Sequence, residues 1–392
     1  MHSRFKSNNL FAGLIALVLI AIGFALSFYS HKSEPIEGPV IAETTAIESE
    51  TEGIFTEVTS ASEKSLSRIA LIHTSHDTPS FEKPEKTELE LIRDSIDWSD
   101  APSPKPELVK TDDYDVYINV TKESLIYVFD KMGYTVDKID SGETEAIPPL
   151  LVVSINKGWS DNETVQSKKG IFYRVILTLI LYENEAVLRE REKLLAILDT
   201  RGDDGTFPAD QMRRLNALAF SYRVIKEESE DALTDDQIQE LLTRVDMVPP
   251  SLALAQAAHE SGYATSRFAH SANALFGQWD WSADAVKPQQ QRKGMGNYGI
   301  KSFNQPIDSV RAYIWNLNTH RAYADFRKVR AALRGEQQGR ITFDSRKLAD
   351  TLTSYSERGT EYTEELKSTI SYNRLDRADH LRLIEGEPIY FH

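Results

Sequence analysis

Apolar residues recur at helical spacing through much of the chain. Between Ser167 and Leu198, Phe172, Val175, Ile176, Leu179 and Ile180 return every three or four residues, then charges mix through Glu183–Lys193, which predicts one long helix. A second helix is predicted over Ala209–Glu227, with Leu215, Leu218, Ala219, Tyr222 and Ile225 on one face. A third opens at Thr234-Asp235-Asp236-Gln237, a capping box, and runs to about Val245. Pro306–Asn318 starts on proline, carries Asp308 in its first turn, and faces Val310, Tyr313, Ile314 and Leu317 inward. Helices at about Asp325–Gly335, Ser345–Tyr355 and Thr360–Tyr372 follow. Upstream, Tyr114–Val120 alternates like a strand, Ser124–Gly133 has helical spacing, and Leu150–Ile155 is an extended apolar run. From Gly277 to Phe303, Gly, Pro and Gln separate short runs, predicting two or three small strands. The fold class is therefore mainly α with a small β-lobe.

The longest apolar run is Leu10–Tyr29, uncharged over its whole length, which suffices to cross a bilayer as a helix. Arg4 and Lys6 precede it, so residues 1–9 are expected in the cytoplasm and everything after the 10–29 anchor beyond the inner membrane. A cleaved signal peptide ending near Ala25-Leu26-Ser27 is the alternative, and the length of the run favours the anchor. Residues 30–110 are rich in Glu, Ser, Thr and Pro and read as a disordered acidic linker, with one short helix over Leu89–Trp98. Residues 111–245 read as a mostly helical accessory region, residues 246–373 as a second, compact domain, and 374–392 as a tail with no assigned place.

The chemistry concentrates in Pro249–Gly277. Two prolines open a run of Leu and Ala that predicts a short buried helix, and Gly262 stops it. Glu260 stands at the C-terminal end of that helix. The helix dipole is negative there and apolar neighbours surround it, so both disfavour the ionised form. A carboxylic acid still protonated near neutral pH is what a glycosidase needs to protonate a departing sugar oxygen.

The alanine-rich helix, Glu260-Ser261-Gly262-Tyr263 and Asn273-Ala274-Leu275-Phe276-Gly277 resemble the endo-β-N-acetylglucosaminidases of glycoside hydrolase family 73, and within them the Bax-like branch. Two further stretches carry the resemblance: Leu317–Tyr323, similar to an "NLNxHxAY" pattern, and Leu352–Tyr362, similar to a late tyrosine motif. The resemblance implies a lysozyme-like α+β domain that cuts peptidoglycan, with Glu260 as catalytic acid and a hydroxyl of Tyr355 or Tyr362 near the scissile bond. It implies that Asn273, Phe276, Gly277, Trp279, Trp281 and Tyr298 line the sugar cleft, the aromatic rings serving equally well as the lobe's own core. His320 is expected to be structural, since no second histidine stands at ligand spacing, and no metal or cofactor is predicted.

Charge and composition narrow this reading. The net charge of −15 is uneven: from Pro249 onward 19 Lys and Arg meet 16 Asp and Glu, against 26 and 44 before it. A mildly basic module behind an acidic stalk suits an anionic glycan, and no basic run points to nucleic acid. There is no cysteine, which excludes disulfides, a thiol nucleophile and thiolate metal sites. A second carboxylate is harder to find, because no glutamate lies between Glu260 and Glu336 and the lobe holds only Asp280 and Asp284. Three outcomes stay open: an aspartate takes the second role, the substrate's own 2-acetamido group assists, or the domain binds peptidoglycan without cutting it. A lytic transglycosylase, which works with one acid, is the competing enzyme.

Overall fold

The computed structural model describes residues 86–111, 114–288, 296–335 and 341–392. The predicted anchor at 10–29 lies outside them, as does most of the linker. No described helix is long and apolar enough to cross a membrane.

The chain opens with α1 (Glu88–Asp94), β1 (Glu107–Lys110), β2 (Asp115–Ile118), α2 (Lys122–Lys131), α3 (Val136–Ser141), β3 (Ala146–Ile147) and β4 (Leu150–Val152). Next come the post α4 (Val165–Leu198), then α5 (Ala209–Ser221), α6 (Asp235–Arg244), α7 (Pro250–Ser261) and α8 (Arg267–Ala272). The β-lobe is β5 (Trp279–Asp280) paired antiparallel with β6 (Gly299–Ile300). The rest is α9 (Pro306–Thr319), α10 (Ala324–Gly335), α11 (Ser345–Ala349), α12 (Thr360–Tyr372), β7 (Arg382–Leu383) and β8 (Ile389–Phe391).

The short helix expected within the linker is α1, and Leu89 and Ile96 sink into the main core there; β1 also lies inside the stretch read as disordered. The accessory region reads as mostly helical, and α2 to α6 lie in it. One core runs from Leu89 to Phe391, and the tail, which had no assigned place, supplies β8. β8 lies between β2 and β4 and is parallel to both, with β1 antiparallel on the outer side of β2.

The tail also completes α7. That helix starts on Pro249 and Pro250 and has no side-chain cap of its own. Asp379, 128 residues further on, fills the role: Oδ1 accepts from Ser251 N at 2.8 Å, and Oδ2 accepts from the hydroxyls of Ser251 at 2.7 Å and Ser345 at 2.8 Å. A carboxylate at a helix N-terminus is favoured by the dipole. Burial opposes it and pushes the Asp379 carboxyl up to about 6.

The half of α4 from Ile171 to Leu181 is buried on nearly all sides, because α7, α9 and β4 pack around it. Its charged second half buries Glu183, Asn184 and Glu190 as well as two apolar residues, Leu194 and Ile197, which meet Leu215, Ala219, Ile238 and Leu241 of α5 and α6 in a separate cluster. Arg311 of α9 donates to both oxygens of buried Glu183, at 3.1 and 2.7 Å, and so ties α9 to the post.

Candidate active site

The site is built on the end of α7. Ten of its residues are buried, from Pro250 through Ala258 and then Ser261, since small side chains let four elements approach it. Gly262 ends the helix in the left-handed region, and Tyr263 and Ala264 stay there too, at φ 59°, 58° and 57°. For residues with a Cβ this backbone is disfavoured by about 1–2 kcal/mol each. Three bonds hold it: Tyr263 N donates to Ala258 O at 3.0 Å, Ala264 N to Ser261 Oγ at 2.8 Å, and Trp159 Nε1 to Ala264 O at 2.9 Å. Ser261 is thus a brace for the turn that follows Glu260.

Glu260 is half-buried in the last turn of α7. Tyr362 of α12 donates its hydroxyl to Oε1 at 3.1 Å. On the other oxygen stands Gly277, at φ 63°, where an added Cβ would come within 3.0 Å of Oε2. Burial raises the Glu260 carboxyl from 4.5 to about 7, against the pull of the Tyr362 hydroxyl. No other group among the described residues moves it. The result is a carboxyl that keeps a proton near neutrality and has one neutral donor beside it.

The other predicted residues divide. Tyr355 donates to Phe276 O at 3.1 Å and lies parallel to Tyr362, with centroids 5.8 Å apart. It supports Tyr362, and its own hydroxyl is held by the backbone. Phe276 is buried and stacked on Tyr313 at 3.9 Å, so it belongs to the core and does not line a cleft. Asn273 ends α8 in the left-handed region and donates to Phe303 O at 3.1 Å and Asn304 O at 3.0 Å, which fastens the return of the β-lobe. Trp279 stacks on buried Tyr298 at 5.0 Å and meets Trp281 edge-on at 6.1 Å. The two tryptophans are half-buried, so the lobe has a small ring cluster with partly open indoles.

Neither aspartate is among the groups that shift the Glu260 carboxyl. Asp280 is buried and turned into its own loop, where it accepts from Ser282 N at 2.9 Å and Ser282 Oγ at 2.7 Å. Asp284 is exposed. Among the described residues no cluster of His, Cys, Asp and Glu is arranged to hold a metal ion. His320 caps the 321–323 turn, its Nδ1 accepting from Ala322 N at 3.2 Å. Asn318, two residues earlier, ties α9 to the loop before α7, donating to Asp246 O at 2.9 Å and accepting from buried Arg330 at 2.7 Å.

A family model described as mannosyl-glycoprotein endo-beta-N-acetylglucosaminidase matches residues 235–375. Protein bax of Escherichia coli (strain K12) is 31% identical over 214 residues, which is 55% of this chain and 73% of that protein. The chain belongs to the Bax glucosaminidase family. No solved structure matches it. The Bax-family glucosaminidase segment runs from α6 past α12, so it contains Glu260, the β-lobe and both tyrosines, while α4 and β8 lie outside it.

Two residues at the site went unassigned in the sequence. Gln256 donates to the Tyr362 hydroxyl at 3.0 Å, and Tyr313 donates to Gln256 at 2.7 Å. Gln256 carried a signal: it is a long polar side chain in a run of Leu and Ala, four residues before Glu260 and so on its face of the helix.

Proposed function

We propose that this protein is a peptidoglycan hydrolase of the endo-β-N-acetylglucosaminidase type, cleaving the β-1,4 bond after N-acetylglucosamine. The observation that carries the reading is the Glu260 carboxyl, raised to about 7 at a helix end and held by one phenol. In its protonated form it gives its proton to the glycosidic oxygen as the C–O bond breaks. A water then adds to the anomeric carbon, and its spare proton returns to the Glu260 carboxylate or to solvent. The 2-acetamido group of the sugar shields the cation in the meantime, since no second carboxylate among the described residues acts on Glu260. The aromatic cluster of Trp279, Trp281 and Tyr298 offers ring faces to sugar C–H groups. Tethering through residues 10–29, with the enzyme on the periplasmic side, fits a wall substrate.

With no second carboxylate acting on Glu260 among the described residues, a second reading is favoured, a lytic transglycosylase. There the sugar's own C6 hydroxyl attacks the anomeric carbon, and the Glu260 carboxylate takes the hydroxyl proton. End-group mass spectrometry of digested peptidoglycan separates the two. Reducing N-acetylglucosamine ends support the glucosaminidase, and anhydro-muramyl ends replace it with the transglycosylase. Retention on peptidoglycan with no new ends of either kind sinks both and leaves a binding module.

A further inference from the structure

Four side chains on three helices form a continuous hydrogen-bonded chain that ends on Glu260. Tyr313 of α9, wholly buried, donates to Gln256 Oε1 at 2.7 Å. Gln256 of α7, also wholly buried, donates through Nε2 to the Tyr362 hydroxyl at 3.0 Å. Tyr362 of α12 donates to Glu260 Oε1 at 3.1 Å. An amide has one accepting end and one donating end. With Tyr313 on its oxygen, only its NH2 end faces Tyr362. The Tyr362 oxygen therefore accepts, and its own hydrogen is left to point at Glu260.

We propose that Gln256 and Tyr313 are positioning residues that fix the direction of the Tyr362 hydroxyl, so that its hydrogen is always aimed at the carboxylate Glu260 becomes. The kinetic part of this rests on the reading of Glu260 as the acid that cleaves a glycan. In that step the Glu260 O–H bond breaks, its proton goes to the leaving oxygen, and its electron pair stays on the carboxylate. A donor already aimed there binds the charged product of the step more strongly than the neutral acid, and so lowers the barrier. Polarised chains of this kind strengthen one another's bonds.

The titratable groups that face Glu260 are phenols from four elements: Tyr362 of α12, Tyr313 of α9, Tyr355 of the 353–355 turn and Tyr323 of the 321–323 turn. All four are raised above the ordinary tyrosine value by burial, so they are neutral at any working pH, and Tyr362 alone among them donates to Glu260. His259, the neighbour on α7, is turned to Thr369 at 2.8 Å and stands 3.7 Å from Glu365, both on α12. No charged group among the described residues competes with the chain for control of the carboxyl.

The test is a carbon-13 NMR titration of the Glu260 side-chain carboxyl in the full chain, its signal assigned by difference from Glu260→Gln. Tyr362→Phe raises the midpoint by about one pH unit, as expected for a lost hydrogen bond to a charged group. Gln256→Met and Tyr313→Phe each raise it by about half a unit, acting through Tyr362. On a Tyr362→Phe background neither adds anything further. Tyr313→Phe removes one oxygen and keeps the ring on Phe276, so the test survives if Gln256→Met does not fold. Wild-type midpoints in Gln256→Met and Tyr313→Phe, or full shifts retained without Tyr362, overturn the proposal. With peptidoglycan as substrate, the same two variants lower kcat about 3- to 10-fold with KM unchanged. Failure of the glycan reading would appear separately, as no turnover by the wild type while the titration order holds.

Discussion

Replacing Glu260 by glutamine should make the protein more stable at neutral pH while removing its chemistry. The native carboxyl is raised from 4.5 to about 7, so between those values the folded chain holds a proton that the unfolded chain has released. Stability therefore falls as pH rises from about 4.5 to about 7 and is flat above that. At about 1.36 kcal/mol per pH unit, the full effect is about 3 kcal/mol. Solvent reaches part of the half-buried group, which brings the expectation to about 1–3 kcal/mol. Glutamine has the shape of the protonated acid, and its amide oxygen can still accept from Tyr362. The assay is urea denaturation of wild type and Glu260→Gln at pH 4.5 and pH 8, with equal slopes required in both proteins. Other buried acids such as Asp379 and Glu183 respond alike in the two proteins and cancel in the difference. The two proteins should match at pH 4.5, and the variant should lead by about 1–3 kcal/mol at pH 8. If the variant has no advantage at pH 8, Glu260 is an ordinary solvated carboxylate and the reasoning fails.

Other expectations concern the scaffold. Asp379→Ala should destabilise the fold by about 2–4 kcal/mol, because it strips Ser251 N and two buried hydroxyls of their acceptor, and thermal unfolding reads this directly. Ser261→Ala should lower stability by about 1–2 kcal/mol through the left-handed turn at 262–264, with a matching loss of activity on peptidoglycan as Glu260 moves. Deleting residues 388–392 removes the strand between β2 and β4 and should leave the protein insoluble on expression, whereas a soluble, cooperative unfolder would show that β8 is dispensable. Trp281→Ala should weaken retention on insoluble peptidoglycan about 3- to 10-fold with little change in melting temperature, since its indole is partly open; an equal loss of stability would place it in the lobe's core.

The helices were legible because their apolar period and caps agree: the Thr234–Gln237 box opens α6 and Gly262 ends α7 in the structure. Glu260 at a helix end was legible because the signal is local, a helix of small residues with a glutamate at its end, whereas its partner Tyr362 lies 102 residues on and the sequence left it open against Tyr355. The place of the tail was not. β8 is three residues long, and its partners lie more than 230 residues upstream, so nothing in its own composition names them. The same holds for Asp379, a charged residue in a polar stretch that caps a distant helix. Asn273 and Phe276 stand in a recognisable motif yet serve the fold, one fastening the β-lobe and the other stacked on Tyr313. A motif records the scaffold of a site as readily as its chemistry, and only packing separates the two.

Digestion of purified peptidoglycan by wild type and Glu260→Gln, followed across pH 5 to 9 by the ends released, tests the central claim most directly. Release by the wild type should fall as pH rises through about 7, where the acid loses its proton, and should vanish in the variant. Release that is the same in both proteins, or that persists unchanged to pH 9, would contradict the account.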